Sequence, residues 1–170
     1  MLLRRLRRRL TDERGFTLLE LVTASALLMI TVASMLSVFE TLQRAAVREQ
    51  SRAETTDQVR ISMDRMTKEI RQAETIRAGS TASFLDMDTY IDGQPKHIIY
   101  DATEPNVLKR TVDGNTVTLL ERLTISALFT YEPDATDPAV ITVELVAKPE
   151  KFQRDPTEIA LQSQVKLRNR

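Results

Sequence analysis

The stretch that decides the fold starts at residues 14 to 20, which read Arg14-Gly15-Phe16-Thr17-Leu18-Leu19-Glu20. It opens an apolar run that continues to Phe39 with no glycine or proline after Gly15, and Glu20 is the only ionisable side chain in that run. As a helix, residues 16–39 would be about 36 Å long, enough to cross a bilayer core of roughly 30 Å with some tilt. The sequence therefore predicts a transmembrane helix over 16–39.

Glu20 is unfavourable where it stands, because an ionised side chain in a spanning helix costs roughly 2.5 to 3.5 kcal/mol on insertion scales. One interpretation is that Glu20, about one turn from the membrane edge, leans its carboxylate back toward the headgroups. The other is that residues 15 to 20 form a processing and assembly signal.

The leader, residues 1–15, is basic. It holds six of the chain's 24 lysines and arginines against two of its 24 acidic residues, so the remainder of the chain carries an acidic excess. Positive charge before a spanning segment keeps that end in the cytoplasm. We therefore expect a single-pass protein of the cytoplasmic (inner) membrane, with its N-terminus cytoplasmic and its C-terminal domain extracytoplasmic. The acidic excess gives no strong signal for nucleic-acid binding, which needs a concentrated basic face.

Together with the leader and the apolar run, the Gly15 to Glu20 segment resembles the class III signal of type IV prepilins and type II secretion pseudopilins. This resemblance implies cleavage by a prepilin peptidase between Gly15 and Phe16, and N-methylation of Phe16. It also implies that Glu20, at the fifth position of the mature chain, pairs with the free amine of a neighbouring subunit. Two buried charges would then compensate each other and make assembly register-specific.

Other interpretations of the run stay open. A secretory signal would have the same basic flank, but the run is longer than a typical signal core and lacks a convincing small-x-small site at its exit. An uncleaved anchor would keep the leader attached, and the Gly15 to Glu20 match would be accidental.

Beyond the membrane, residues 40–78 are predicted to continue the helix to about Ile76, because no glycine or proline lies between Gly15 and Gly79. This extracytoplasmic half is amphipathic. Its apolar stripe, at spacings of four and three, consists of Val59, Met63, Met66, Ile70 and Ala73. The stripe favours packing on a following sheet over a binding groove.

Residues 79–170 change to short β-rich runs and form the predicted globular domain. The strand candidates are Ser83 to Ile91, Lys96 to Asp101, Val107 to Val112, Thr116 to Arg122, Ile125 to Tyr131, Val140 to Ala147 and Ile159 to Leu167. Turns are predicted at Asp92-Gly93, at Asp113-Gly114-Asn115 and between Pro133 and Pro138. A long N-terminal helix followed by hairpins predicts an α+β fold with an antiparallel sheet, as in pilins.

The order of these segments is also similar to the minor pseudopilin J type and its minor pilin relatives. The segments that carry this second resemblance are Phe84 to Asp88, Ile98 to Tyr100, Val107 to Arg110, Leu128 to Tyr131 and Val165 to Asn169.

The residues that could carry chemistry are few. His97 is the single histidine and cysteine is absent, so neither a nucleophile–base pair nor a zinc site is indicated, and we expect no enzyme, no metal and no cofactor. Asp86, Asp88 and Asp92-Gly93 invite a calcium interpretation, but their spacing departs from the calcium loop. An acidic strand end and a hairpin turn is the preferred interpretation.

The resemblance thus implies a non-enzymatic minor pseudopilin or minor pilin subunit, assembled into or capping a type IV pilus-like fibre. Its partners would be other pilin or pseudopilin subunits, the prepilin peptidase, the assembly platform of the inner membrane and membrane lipid. Secretion, DNA uptake and adhesion or motility are equally compatible with these residues. The alternatives are an uncleaved, membrane-anchored extracytoplasmic binding domain, and a secreted enzyme for which no site is indicated.

Overall fold

The fold is α+β, as predicted. A computed structural model describes residues 17–149 and 157–167, so Gly15 and Phe16 lie outside the described residues. One helix, α1 (Leu18–Arg71), precedes eight described strands: β1 (Ala73–Ile76), β2 (Phe84–Ile91), β3 (Gln94–Asp101), β4 (Val107–Val112), β5 (Asn115–Glu121), β6 (Phe129–Glu132), β7 (Val140–Ala147) and β8 (Ile159–Lys166). All strand pairings are antiparallel.

The chain divides into two units, with the boundary between Ala46 and Val47. In the first unit the described residues are helical from Leu18 onward and exposed along their whole length. The second unit contains the remainder of α1 and both sheets, and it holds the buried core.

The C-terminal end of α1 differs from the prediction. The helix ends at Arg71 rather than near Ile76, and residues 73–76 form β1, whose Ile76 pairs with Met87 of β2. Both ends of β1 are buried, since Ala73 is 3% and Ile76 is 5% exposed. The pairing and the burial outweigh the absence of a local helix breaker, because tertiary packing overrides weak propensity.

The first sheet has five strands in the order β1-β2-β3-β4-β5. Its tight hairpins lie at two predicted turns, where Asp92-Gly93 joins β2 to β3 and Asp113-Gly114 joins β4 to β5. All four of these residues have positive φ, from 47° to 87°, which is the conformation that Asp-Gly hairpin turns use.

The second sheet has three strands in the order β6-β7-β8. Loops connect it to the first sheet, since the N–H groups of Leu128 and Phe129 both donate to the Ala82 carbonyl, at 2.7 and 2.9 Å. The strand predicted over residues 125–131 is shifted toward the C-terminus, because β6 begins only at Phe129.

The predicted apolar stripe packs into the core. Val59, Met66 and Ile70 are fully buried, and Met63 is 6% exposed. They join one cluster with side chains from both sheets, among them Leu85, Met87, Ile98, Leu120, Ile141 and Leu145. The stripe therefore packs against the sheets, as the sequence indicated.

Candidate functional site

The most unusual surface of the molecule is the apolar part of α1, residues 18–39. Every residue in this range is exposed, with Leu18 at 82%, Leu19 at 73% and Phe39 still at 56%. Soluble monomers rarely expose a contiguous apolar surface of this extent. By length and composition, α1 contains a segment that can cross a membrane. An apolar segment of this kind is stable when lipid or other helices surround it.

Four hydroxyl side chains within this segment bond to the helix itself. The hydroxyls of Thr23, Ser25, Thr31 and Ser34 donate to backbone carbonyls four residues earlier, at 2.5 to 3.0 Å. Such back-bonding lets Ser and Thr sit in an apolar environment without unpaired donors. Glu20 carries the only ionisable side chain of residues 18–39.

Glu20 lies in the first turn of α1, where it is exposed. The N–H of Glu20 donates to the Thr17 hydroxyl at 3.2 Å, and the N–H of Leu21 donates to the Thr17 carbonyl at 3.1 Å. Thr17 is thus the N-cap of the helix. An acidic group at this end also complements the positive pole of the helix dipole.

The N-cap was missed in the sequence analysis, although Thr17-Leu18-Leu19-Glu20 has the spacing of a capping box. Its consequence is that Glu20 has two separable properties. Its backbone N–H is capped by Thr17, whereas its exposed carboxylate has no bonding partner within residues 17–149 and 157–167.

A buried ionic cluster, distant in sequence from Glu20, links α1 to the first sheet. Glu69 in the last turns of α1 accepts hydrogen bonds from Arg110 of β4, Nη2 to Oε1 at 2.6 Å and Nε to Oε2 at 3.0 Å. The Tyr100 hydroxyl donates to Glu69 Oε2 at 2.6 Å, and the Thr89 hydroxyl donates to the Glu69 carbonyl at 3.0 Å.

Burial, hydrogen bonds and neighbouring charges shift the pKa values of Tyr100 and Arg110 in this cluster. Burial, and then the charge and hydrogen bond of Glu69, raise the pKa of the Tyr100 phenol far above its usual range. Burial lowers the pKa of the Arg110 guanidinium, but the Glu69 hydrogen bond and charge outweigh this effect, so the net pKa is raised. Tyr100 therefore stays a neutral donor and Arg110 a cation. Through these bonds the cluster holds the helix on the sheet.

Two of the three acidic residues considered for calcium, Asp86 and Asp88, are already bonded to basic side chains. Asp88 binds Arg77 through two hydrogen bonds of 2.8 Å, and Asp86 Oδ1 lies 2.7 Å from Nε2 of His97, which belongs to β3 as predicted. Asp92 lies in the β2–β3 turn at φ 51°. Within residues 17–149 and 157–167, no three acidic or histidine side chains are grouped as metal ligands.

A shallow cleft of about 330 Å³ lies beside the last turns of α1. Its lining mixes both charges, with Asp64, Arg65, Lys68, Gln72 and Asp92 around Ile91 and Glu69. No histidine, serine or threonine takes part in this lining.

Comparisons of this chain with protein-family models, with curated proteins and with solved structures found no match.

Proposed function

We propose that the chain is a non-enzymatic minor pseudopilin or minor pilin subunit, which is processed by a prepilin peptidase and assembled into or onto a type IV pilus-like fibre. The observation that carries this proposal is the exposed apolar helix over 18–39 with a single carboxylate, Glu20, in its first turn. A helix of this kind can be stored in the bilayer and later packed against other helices, because neither environment is aqueous.

The position of Glu20 explains how assembly would be directed. Cleavage before Phe16 would create an amine close to the start of the helix, and a carboxylate four residues later would stand near the same membrane depth. An amine of one subunit that meets Glu20 of the next would neutralise two costly charges at once. Helix association in an apolar environment is otherwise weakly specific, so this pair would set the axial register.

The second unit would supply the extracytoplasmic part of the subunit. Its core is closed by the Glu69–Arg110–Tyr100 cluster and offers no arranged catalytic group among the described residues. A role through surface contacts with neighbouring subunits fits these features better than a role in catalysis. The partners would be other pilin-like subunits and the assembly platform of the inner membrane.

An uncleaved bitopic anchor is the alternative. The Thr17–Glu20 hydrogen bond favours this alternative, because it caps the helix at Glu20 without a partner subunit. The two functions differ at the N-terminus. The chain extracted from its native membrane should begin at methylated Phe16 when the prepilin peptidase is present, and at Met1 when it is absent. A start at Met1 in both backgrounds would support the anchor, and a start beyond about residue 40 would mean release by a signal peptidase.

A substitution tests the role of the carboxylate directly. We expect the Glu20→Ala variant to be inserted and cleaved normally but to be missing from sheared fibres. Glu40→Ala is the matched control, since Glu40 is also an exposed helical glutamate but lies beyond the apolar segment. Normal incorporation of the Glu20→Ala variant would contradict the assembly role.

A further inference from the structure

Within residues 17–149 and 157–167, β8 is an edge strand of the second sheet, and no described strand pairs with its outer side. β8 is the last strand in the order β6-β7-β8, and it pairs with β7 in continuous register over its full length, from Ile159 opposite Ala147 to Lys166 opposite Val140. It contains no proline and no bulge, and Lys166 at its end is its single charged residue. Natural sheets usually protect long, regular edges with charges, prolines or bulges.

Hydrogen bonds of β7 show which backbone groups of β8 point outward. The Glu144 N–H donates to the Leu128 carbonyl and the Val146 carbonyl accepts from Thr124 N–H, so the even-numbered residues of β7 face away from β8. The odd-numbered residues therefore bond β8, through pairs such as Val143 with Ser163. It follows that the N–H and C=O groups of β8 that point to the open edge belong to Ala160, Gln162, Gln164 and Lys166.

The other edges of the described sheets are shorter or interrupted. β1 has only four residues and an irregular register, and the β4–β5 ladder is also irregular next to Leu108. The Leu119 carbonyl of β5 accepts the Ser62 hydroxyl at 3.4 Å. At β6, the Phe129 N–H is bonded to Ala82. Among the described strands, β8 is thus the long edge without such an interruption.

We propose that β8 pairs antiparallel with β8 of a second copy of this chain, about a two-fold axis at Ser163. This register joins outward-facing groups only, because Gln162 meets Gln164 of the second copy and Ala160 meets Lys166. With both directions counted there are four such pairs, and each exchanges two hydrogen bonds, which gives about eight. The two three-stranded sheets become one continuous sheet.

The side chains argue for a second copy rather than an unrelated strand. On the inner face of the sheet, half-buried Leu161 is placed opposite Val165 of the second copy, which is already buried in its own chain, so no polar or charged group lies opposite Leu161. On the outer face, the central glutamines meet each other and can form amide pairs. The charged side chain in β8, Lys166, stands opposite Ala160 and not opposite another lysine. The strand is therefore self-complementary on both faces and in charge.

The first test is cysteine cross-linking. The chain contains no natural cysteine, so an introduced cysteine is the only one that can form a disulfide. At the axis, Ser163 and its copy would form a pair without mutual hydrogen bonds, with Cα atoms about 4.5 Å apart, within the range of a disulfide. We expect oxidised, full-length Ser163→Cys protein in detergent to run as a covalent dimer. Val117→Cys on β5 is the control, since Val117 is 57% exposed on another edge. Equal cross-linking of both variants, or none at position 163, would overturn the proposal.

The second test changes charge at the edge. The Q162K/Q164K variant would place lysines opposite each other in two pairs, and we expect the dimer dissociation constant, measured by sedimentation equilibrium in detergent, to rise about tenfold. The Q162E/Q164K variant would place opposite charges there and should restore dimerisation. Circular dichroism checks that both variants are folded. A monomeric wild-type chain, or a dimer that ignores both variants, would contradict the pairing. Neither result bears on cleavage before Phe16 or on Glu20, so this proposal stands apart from the proposed function.

Discussion

Glu69 and Arg110 form a two-pronged ion pair, in which Nη2 of Arg110 lies 2.6 Å from Oε1 of Glu69 and Nε lies 3.0 Å from Oε2. The two residues are separated by 41 positions in the chain, and the pair ties the last turns of α1 to β4 of the first sheet. Side-chain exposure is 11% for Glu69 and 14% for Arg110. Because the pair is shielded from water, the loss of one partner leaves the other charge poorly compensated.

We therefore expect Glu69→Gln to lower the free energy of unfolding by about 3 kcal/mol, measured by urea titration of the full chain in detergent with circular dichroism as the signal. Glu74→Gln, at an exposed position of β1, is the control and should change it by less than about 0.5 kcal/mol. The double variant E69L/R110M removes both charges and should recover much of the loss. Equal effects of Glu69→Gln and Glu74→Gln would show that the pair is not structurally important.

Alkaline pH should destabilise the second unit through two tyrosines. Burial and Glu69 raise the pKa of Tyr100, and burial raises the pKa of Tyr131, whose hydroxyl donates to the Thr81 carbonyl at 2.9 Å. Above the usual phenol pKa of about 10, the unfolded chain loses these protons and the folded chain keeps them. The unfolded state then binds fewer protons, so stability falls as pH rises, by up to about 1.4 kcal/mol per pH unit for each phenol.

The measurement is the free energy of unfolding of the wild-type chain and of Tyr100→Phe between pH 9 and pH 12. The variant loses one hydrogen bond to Glu69, so it should be less stable at neutral pH by about 1 to 3 kcal/mol. Above pH 10, the loss of stability per pH unit should be smaller in this variant than in the wild-type chain, by about 1.4 kcal/mol. Parallel pH curves for the two proteins would argue against a protonated, buried Tyr100.

Calcium should have little effect on the second unit. Asp88 is held by Arg77 and Asp86 by His97, so a cation would first have to displace both basic side chains. We expect the thermal midpoint in excess calcium to match that in a chelator within about 1 °C, since a ligand stabilises only the state that binds it. A clear rise with calcium that Asp88→Asn abolishes would revive the calcium interpretation of Asp86 to Asp92.

The sequence predicted most of the fold because its signals are local and periodic. The apolar stripe from Val59 to Ile70, the Asp-Gly hairpins and the β7 strand over Val140–Ala147 are found where the patterns place them. β1 was missed because Ala73-Glu74-Thr75-Ile76 is too short to show a period, and it becomes a strand only by pairing with β2. The Glu69–Arg110–Tyr100 cluster was also out of reach, because its members come from α1, β4 and β3 and no spacing relates them.

The candidate site differs from this cluster, because the apolar run and Glu20 lie in one continuous stretch and are visible in the sequence.

The carboxylate of Glu20 and the cap that Thr17 forms on the N–H of Glu20 can be separated by a pair of variants. Thr17→Ala removes the hydroxyl that accepts the Glu20 N–H at 3.2 Å, at a cost of about 1 kcal/mol in helix stability, and it leaves the carboxylate in place. If the proposed assembly role is right, Thr17→Ala should enter fibres at close to wild-type levels, whereas Glu20→Gln, which keeps size and cap but loses charge, should be excluded. Immunoblots of sheared fibres against total membrane protein measure both. Exclusion of the Thr17→Ala variant together with normal entry of Glu20→Gln would reverse the assignment and make the Thr17 cap, rather than the charge of Glu20, the feature that assembly requires.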